Sequence, residues 1–374
     1  MSRTCLHSLH QRLGAVMVDF QGWDMPVRYS QIPAEHCHVR ESAGLFDLCH
    51  MGRLDFTGSD AERWIDQLVT VDVSRIPVGK ARYGFLCNPD GGVIDDLIAY
   101  RLEDRIFLVV NAGNRQRVVE WFEQHRDDAA DKSNATLVDV SDSMAMVSIQ
   151  GPRSAEIASR VIHDVDGALA ELPYYHITSA SFGGQPARIA TTGYTGEHGF
   201  EIFVPNELAE TLWTTLQDAG GDAVQPIGLG ARDTLRIEAG MPLYGHELSE
   251  TINPYEAGLG PVVKLDKATP FVGREALADI RERGAARKLV GLRVQSKRIA
   301  RQGMTVLQNG APVGEITSGI PSPTLGYPVA MALVDARTTS GDNLEVDVRG
   351  TRVPVVPESL PFYSTVRKKA VKAL

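Results

Sequence analysis

The chain has 374 residues, 43% hydrophobic and 23% charged, with a formal net charge of −9. That length exceeds what one core usually covers, so two or three domains are expected, and the composition excludes the disordered class. No apolar run approaches the ~20 residues of a membrane helix, and an acidic chain lacks the basic face that a nucleic-acid partner demands.

The opening "MSRTCLHSLHQRLG" has no apolar leader core and reads as the start of the fold. Cys5, Cys37, Cys49 and Cys87 lack paired CxxC spacing, and a chain this large does not need disulfides. Reduced thiols in a soluble, cytoplasmic protein are expected.

In chain order, residues 34–44, "AEHCHVRESAG", favour a helix with a glycine stop, and "LFDLCHMGRLDFTG" then alternates like a strand. "ARYGFLC", "VIDDLIAYRL" and "RIFLVVN", separated by "NPDGG" and "EDR", predict an antiparallel meander. "RQRVVEWFEQHR" is an amphipathic helix, and "MAMVSIQGPRSAEIASRVI" reads as strand, turn and helix. Two strands surround the glycine loop of "ARIATTGYTGEHGFEIFVP". Helices follow in "NELAETLWTTLQDAG" and "GLGARDTLRIEAG", each closed by glycine. Residues 266–286 read as a connecting helix, and from "RKLVGLRV" onward the pattern is all-β. A boundary is therefore expected near residue 285, with no short-period repeat.

Asp95 and Asp96 stand out because they sit inside the apolar run "VIDDLI". In a strand, Val93, Asp95, Leu97 and Ala99 would share one face, and Ile94, Asp96, Ile98 and Tyr100 the other. A carboxylate among apolar neighbours must shift its pKa upward or find a partner. A plain structural reading has one acid facing water while the other caps a turn or meets an arginine.

"EHCH" at 35–38 and "CH" at 49–50 tempt a metal assignment. Residues one or two apart on a helix face different ways, however, so no zinc site is expected. "GLGARD" lacks the third glycine of a dinucleotide loop.

In "TTGYTGEHGFEI", Gly193, Gly196 and Gly199 imply a tight loop that projects Glu197. Hairpin geometry alone could explain them. A carboxylate there would also accept an amidine-like N–H pair, as on a pterin edge. Arg232, in the helix that follows, would suit a ligand carboxylate or Glu197 itself.

Taken together, "DFQGWDMPVRY", "AEHCHVRESAGLFDLCHMG", "GGVIDDLIAY", "IQGP", "GYTGEHGFEI", "GLGARDTLRIEAGMPLYGHEL" and "VGEITSGIPSPTLGYPVAMALV" resemble one family in order and spacing. It is the T-protein, or aminomethyltransferase, family of the glycine cleavage system. The resemblance implies an α+β fold of three lobes in a cloverleaf-like arrangement around a central channel, with a C-terminal antiparallel β-barrel. Residues 1–284 would form the folate-binding region, as two interleaved lobes, and 285–374 the barrel.

By the same resemblance, Asp96 matches the catalytic aspartate, and Tyr83, Tyr100 and Asn111 match positions lining the folate pocket. Glu197 matches the glutamate that holds the pterin, Arg232 an arginine of that pocket, and Arg367 is the nearest match to a C-terminal folate contact. Met241 stands where some relatives carry an aromatic residue.

The implied reaction moves the one-carbon unit of an aminomethyl group, carried on the lipoyl arm of the H-protein, to tetrahydrofolate. Ammonia is released and 5,10-methylenetetrahydrofolate formed. Folate is then a co-substrate, no metal is needed, and the chain would act as a monomer that docks H-protein transiently. Asp96 would manage a proton and stabilise developing positive charge, while Asp95 would be structural.

Two other functions are open to the same fold. One is a folate-dependent demethylase of a small methylated amine or sulfonium compound, which would not need the H-protein. The other is a non-catalytic folate-binding protein of iron–sulfur maintenance, whose loop characteristically carries a reactive cysteine. The loop here, "TGYTGEHGFE", has none.

Overall fold

The computed structural model describes residues 1–126, 134–339 and 343–365. Three β assemblies organise them. A five-stranded antiparallel sheet runs in the order Ala81–Cys87, Val93–Arg101, Arg105–Val110, Gly52–Thr57, Thr136–Asp139. Its first three strands are the expected meander. The helices Ala61–Asp66 and Arg115–Gln124 cover one face, where Trp64, Phe56 and Phe122 pack edge to face.

A six-stranded sheet runs Ile177–Phe182, Gln185–Ala190, Gly199–Pro205, Met144–Gln150, Ala43–Asp47, Val224–Pro226. Only the last pairing is parallel. The helix Ala209–Gly220 buries Leu212, Trp213 and Leu216 against it, the spacing of one helical stripe. Between the two sheets lies a shared core that includes Phe46, Tyr100, Phe107, Met146 and Phe203.

The third lobe is a closed antiparallel barrel in the order Arg287–Val294, Pro328–Asp335, Ala311–Pro321, Thr305–Gln308, Leu344–Val348, Thr351–Glu358. Closure removes the exposed edges that an open sheet of such strands would present. The helix Arg274–Arg283 precedes it. These three lobes give the α+β, cloverleaf-like arrangement with a C-terminal barrel.

Two local expectations are corrected. The helix expected over 34–44 spans Ile32–Glu41, and Gly44 lies within a strand rather than at a helix stop. A Cβ there would fall 2.4 Å from Ile227 Cγ1, so Gly44 is there for close approach. The single strand expected over 45–58 is two strands, Ala43–Asp47 and Gly52–Thr57, in different sheets. Fully buried Arg53 is the cause: its Nη1 donates to the carbonyls of Cys49 (3.0 Å) and Met51 (2.5 Å), which folds the chain into a turn.

Helix Leu229–Glu238 ties the lobes together. Arg236, on this helix, pairs with Glu247 at 2.8 Å and donates to Ser318 of the barrel at 2.7 Å. Glu238 takes Arg40 at 3.0 Å and the Thr324 N–H at 3.1 Å.

Candidate active site

The two sheets, the helix Leu229–Glu238 and the loop 240–244 enclose a cavity of about 290 Å³. Its wall includes Tyr83, Asp96, Asn111, Tyr194, Glu201 and Arg232.

Asp96 reaches it because the strand Val93–Arg101 carries a bulge. Leu86 pairs with Asp95 and Cys87 with Val93, so Ile94 is the extra residue. From Asp95 onward the faces alternate as expected, but Ile94 packs with Leu97 and Ala99, not with Asp96, and Val93 joins a separate cluster around Phe85. Bulges of this kind re-aim side chains beside functional sites.

Asp96 Oδ2 accepts from the Tyr83 hydroxyl at 2.9 Å and Oδ1 from Asn111 Nδ2 at 2.7 Å. Asp95, fully buried behind it, accepts from the Asn111 N–H at 3.0 Å, Asn111 Nδ2 at 2.8 Å and Asn114 Nδ2 at 2.7 Å. Asn111 thus bridges both acids. Among the described residues every partner is neutral and no cation is paired with either carboxyl. Burial pushes both pKa values above the ordinary range, and for Asp95 the neighbouring Asp96 charge pushes further.

The opposite wall holds a second carboxylate. Glu201 accepts from Thr192 Oγ1 at 2.5 Å and from the Tyr100 hydroxyl at 3.2 Å, and burial raises its pKa. Tyr100 itself does not line the cavity. It is fully buried and reaches the site only through Glu201 and Thr192. Arg232 lies with its guanidinium 4.9 Å from the Tyr194 ring centre and has no ion-pair partner among the described residues.

Glu197 sits elsewhere. Its Oε1 meets Arg40 Nη1 at 3.1 Å and the Tyr363 hydroxyl at 2.5 Å, and its side chain is buried there away from the cavity wall. The carboxylate that this loop and strand bring to the cavity is Glu201, four residues on, and Arg232 is not the partner of Glu197. Gly196 has the left-handed backbone of a turn, with φ at +77°, but the two glycines flanking it have a different reason. A Cβ on Gly193 or Gly199 would fall 2.2 or 2.4 Å from the Gln150 amide group, whose Nε2 donates to the Thr192 carbonyl at 3.0 Å.

Arg367 lies outside the described residues. Met241 is in the cavity wall beside Pro242 and Leu243. No His/Cys/Asp/Glu cluster able to hold a metal occurs among the described residues, and none of their helices is long and apolar enough to cross a membrane.

Sequence reasoning missed Glu201, Asn114 and Tyr194. For Glu201 the signal was present: a lone acid inside "GFEIFV" is the same anomaly as the acids of "VIDDLI".

The three-lobed α+β fold thus carries, beside its barrel, a half-enclosed cavity whose acids have no ion-pair partner among the described residues, a site for a small molecule rather than a flat binding surface. The comparisons narrow the class. The sequence model of the GCVT N-terminal domain matches residues 6–267, and that of the glycine cleavage T-protein C-terminal barrel domain matches 287–364. An aminomethyltransferase of Streptomyces avermitilis is 46% identical over 96% of this chain and 97% of its own. One of Symbiobacterium thermophilum is 44% identical over 99% of each. The crystal structure of the glycine cleavage system aminomethyltransferase T of Bartonella henselae is similar with a TM-score of 0.89 and 33% identity, covering 97% of this chain and 98% of that one. The chain belongs to the glycine cleavage T-protein family and is an aminomethyltransferase; the demethylase alternative is not favoured.

Proposed function

We propose that the cavity receives the reduced pterin of tetrahydrofolate and the aminomethyl end of a lipoyl arm borne by the H-protein, and that Asp96 is the catalytic residue. The observation that carries this reading is a cavity-facing carboxylate whose two oxygens are fixed by neutral donors and which no cation among the described residues neutralises. In a desolvated site such a group favours positive charge on whatever lies in front of it.

The C–N bond to ammonia and the C–S bond to the lipoyl sulfur break. Two C–N bonds form to N5 and N10 of tetrahydrofolate, and their two protons leave with ammonia and the thiol. One folate nitrogen displaces the lipoyl sulfur, loss of ammonia from the resulting N–CH2–NH3+ leaves an iminium carbon, and Asp96 stabilises that charge and relays a proton from the second folate amine as it attacks. Tyr83 and Asn111 hold Asp96 in its rotamer. Glu201, oriented by Tyr100 and Thr192, takes over the pterin N–H recognition first assigned to Glu197, and Arg232 attracts an anionic part of a substrate. The chain acts as a monomer in the cytoplasm.

The test is ammonia release from aminomethylated H-protein plus tetrahydrofolate. Asp96→Asn should lower kcat by about 10²–10⁴-fold with little change in Tm. Asp95→Asn puts an amide where three N–H donors converge, so it should lower Tm, and through the shared Asn111 it should lower kcat by a smaller factor. Undiminished turnover by Asp96→Asn would remove the assignment.

A further inference from the structure

We infer that His50 is a further substrate-binding residue, whose imidazole hydrogen-bonds a heteroatom of the pterin ring of bound tetrahydrofolate. The inference rests on the reading of the cavity as the folate site. His50 is 2% exposed, lies in the cavity wall, and its Nδ1 is buried with no hydrogen-bond partner. Among the described residues its one aromatic contact is edge to face with Phe20, at 5.8 Å and 88°. Buried polar groups in native proteins are nearly always satisfied, and an unpaired one on a side chain of a cavity wall marks a ligand position.

The ring is also held where it is by dedicated machinery. The turn carrying it closes with the Met51 N–H on the Leu48 carbonyl at 3.0 Å. Arg53, fully buried, grips the carbonyls on either side of His50, those of Cys49 and Met51, with Nη1, and its Nη2 donates to the Ser141 carbonyl. A buried arginine gripping the carbonyls that flank His50 fixes the imidazole in place while His50 Nδ1 stays unmatched, which is how a preorganised contact is built. Burial, with Arg232 and Arg53 adding to it against the opposing charge of Asp47, keeps the ring neutral. A neutral imidazole has one donor and one acceptor. That suits a heterocycle with adjacent N–H and lone-pair sites and costs no desolvated charge.

The experiment is calorimetric titration of the full chain with tetrahydrofolate under reducing conditions, for wild type, His50→Phe and His50→Asn, with Tm and steady-state kinetics of each. Phe keeps the ring contact with Phe20 and removes the unsatisfied nitrogens, so Tm should hold or rise, while the Kd for tetrahydrofolate rises about tenfold or more. Asn returns a donor and acceptor near the position of Nδ1 and should recover part of that loss. The change should appear in KM for tetrahydrofolate more than in kcat.

Equal affinity in wild type and His50→Phe overturns the inference, as does a loss that Asn does not relieve. A marked fall of Tm in both variants assigns the ring to wall packing and overturns it too. Wild type failing to bind tetrahydrofolate overturns the folate reading itself, and this inference with it.

Discussion

At the scale of single residues, what a carboxylate does here is decided by which way its strand or loop turns it. Glu197 and Glu201 are four residues apart, yet one closes an internal ion network with Arg40 and Tyr363, and the other faces the cavity with the hydroxyls of Thr192 and Tyr100 behind it. Their amide variants should therefore part company. Glu201→Gln places an N–H₂ where a ligand N–H pair would be received, and the affinity for tetrahydrofolate should fall about tenfold or more, with Tm nearly unchanged. Glu197→Gln weakens a buried pair, so Tm should fall while folate affinity stays near that of wild type. Calorimetric Kd values and melting curves of both variants check this, and the reverse pattern would return the pterin contact to Glu197. Strand alternation applied to "GFEIFV" contained the distinction in principle. What obscured it was the glycine-rich loop before it, where spacing gives no face and Gln150, the group those glycines accommodate, is about 45 residues away.

At the scale of elements, the local pattern was legible wherever the element is decided by its own residues. The meander over 81–110 and the amphipathic helix Arg115–Gln124 needed only turn residues and periodicity, and the all-β stretch that begins at Arg287 announced itself the same way. The bulge at Ile94 and the turn at Leu48–Met51 were not legible, because the pairing register across the hairpin and the burial of Arg53 impose them, and neither shows in turn residues or periodicity. Long-range pairing is equally silent: Ala43–Asp47 lies between Met144–Gln150 and Val224–Pro226, segments about 100 and 180 residues away.

Helix Leu229–Glu238 shows how such remote constraints bear on the site. Its N-cap, Gly228, approaches Val27 so closely that a Cβ would fall 2.4 Å from that residue's carbonyl carbon and oxygen. Backbone cannot yield as a flexible side chain can, so Gly228→Ala must move the start of the helix, and Arg232 with it. Tm should drop by several degrees, as expected of a loss of about 1–3 kcal/mol. KM for tetrahydrofolate should rise in the same variant. A variant that melts lower but keeps its KM would show that Arg232 does not depend on this seat.

For the whole molecule, the question is what holds the barrel against the two-sheet body, since the cavity wall draws on the loop 240–244 that runs between them. Much of the answer converges on Glu238. Its carboxylate meets Arg40 Nη2 at 3.0 Å, His36 Nε2 at 3.1 Å and the Thr324 N–H at 3.1 Å, and accepts from the Ser322 hydroxyl; its carbonyl takes the Tyr363 N–H at 2.7 Å. Burial alone would raise the pKa of this acid, but the His36, Arg40 and Ser322 contacts override it and hold the value down to about 2. An acid whose folded pKa lies below its unfolded one stabilises the fold fully above the unfolded value, near 4.3, and loses that contribution as pH falls toward the folded value. The amount at stake is up to about 3 kcal/mol, from the size of the shift. Glu238→Gln should thus lower Tm at pH 7, and the gap between wild type and variant should close as pH is taken from 5 toward 2. Melting curves across that range decide the matter. A gap that stays constant would mean that the amide replaces the carboxylate in everything but charge, and that hydrogen-bond geometry, not the ionised carboxylate, couples the barrel to the rest.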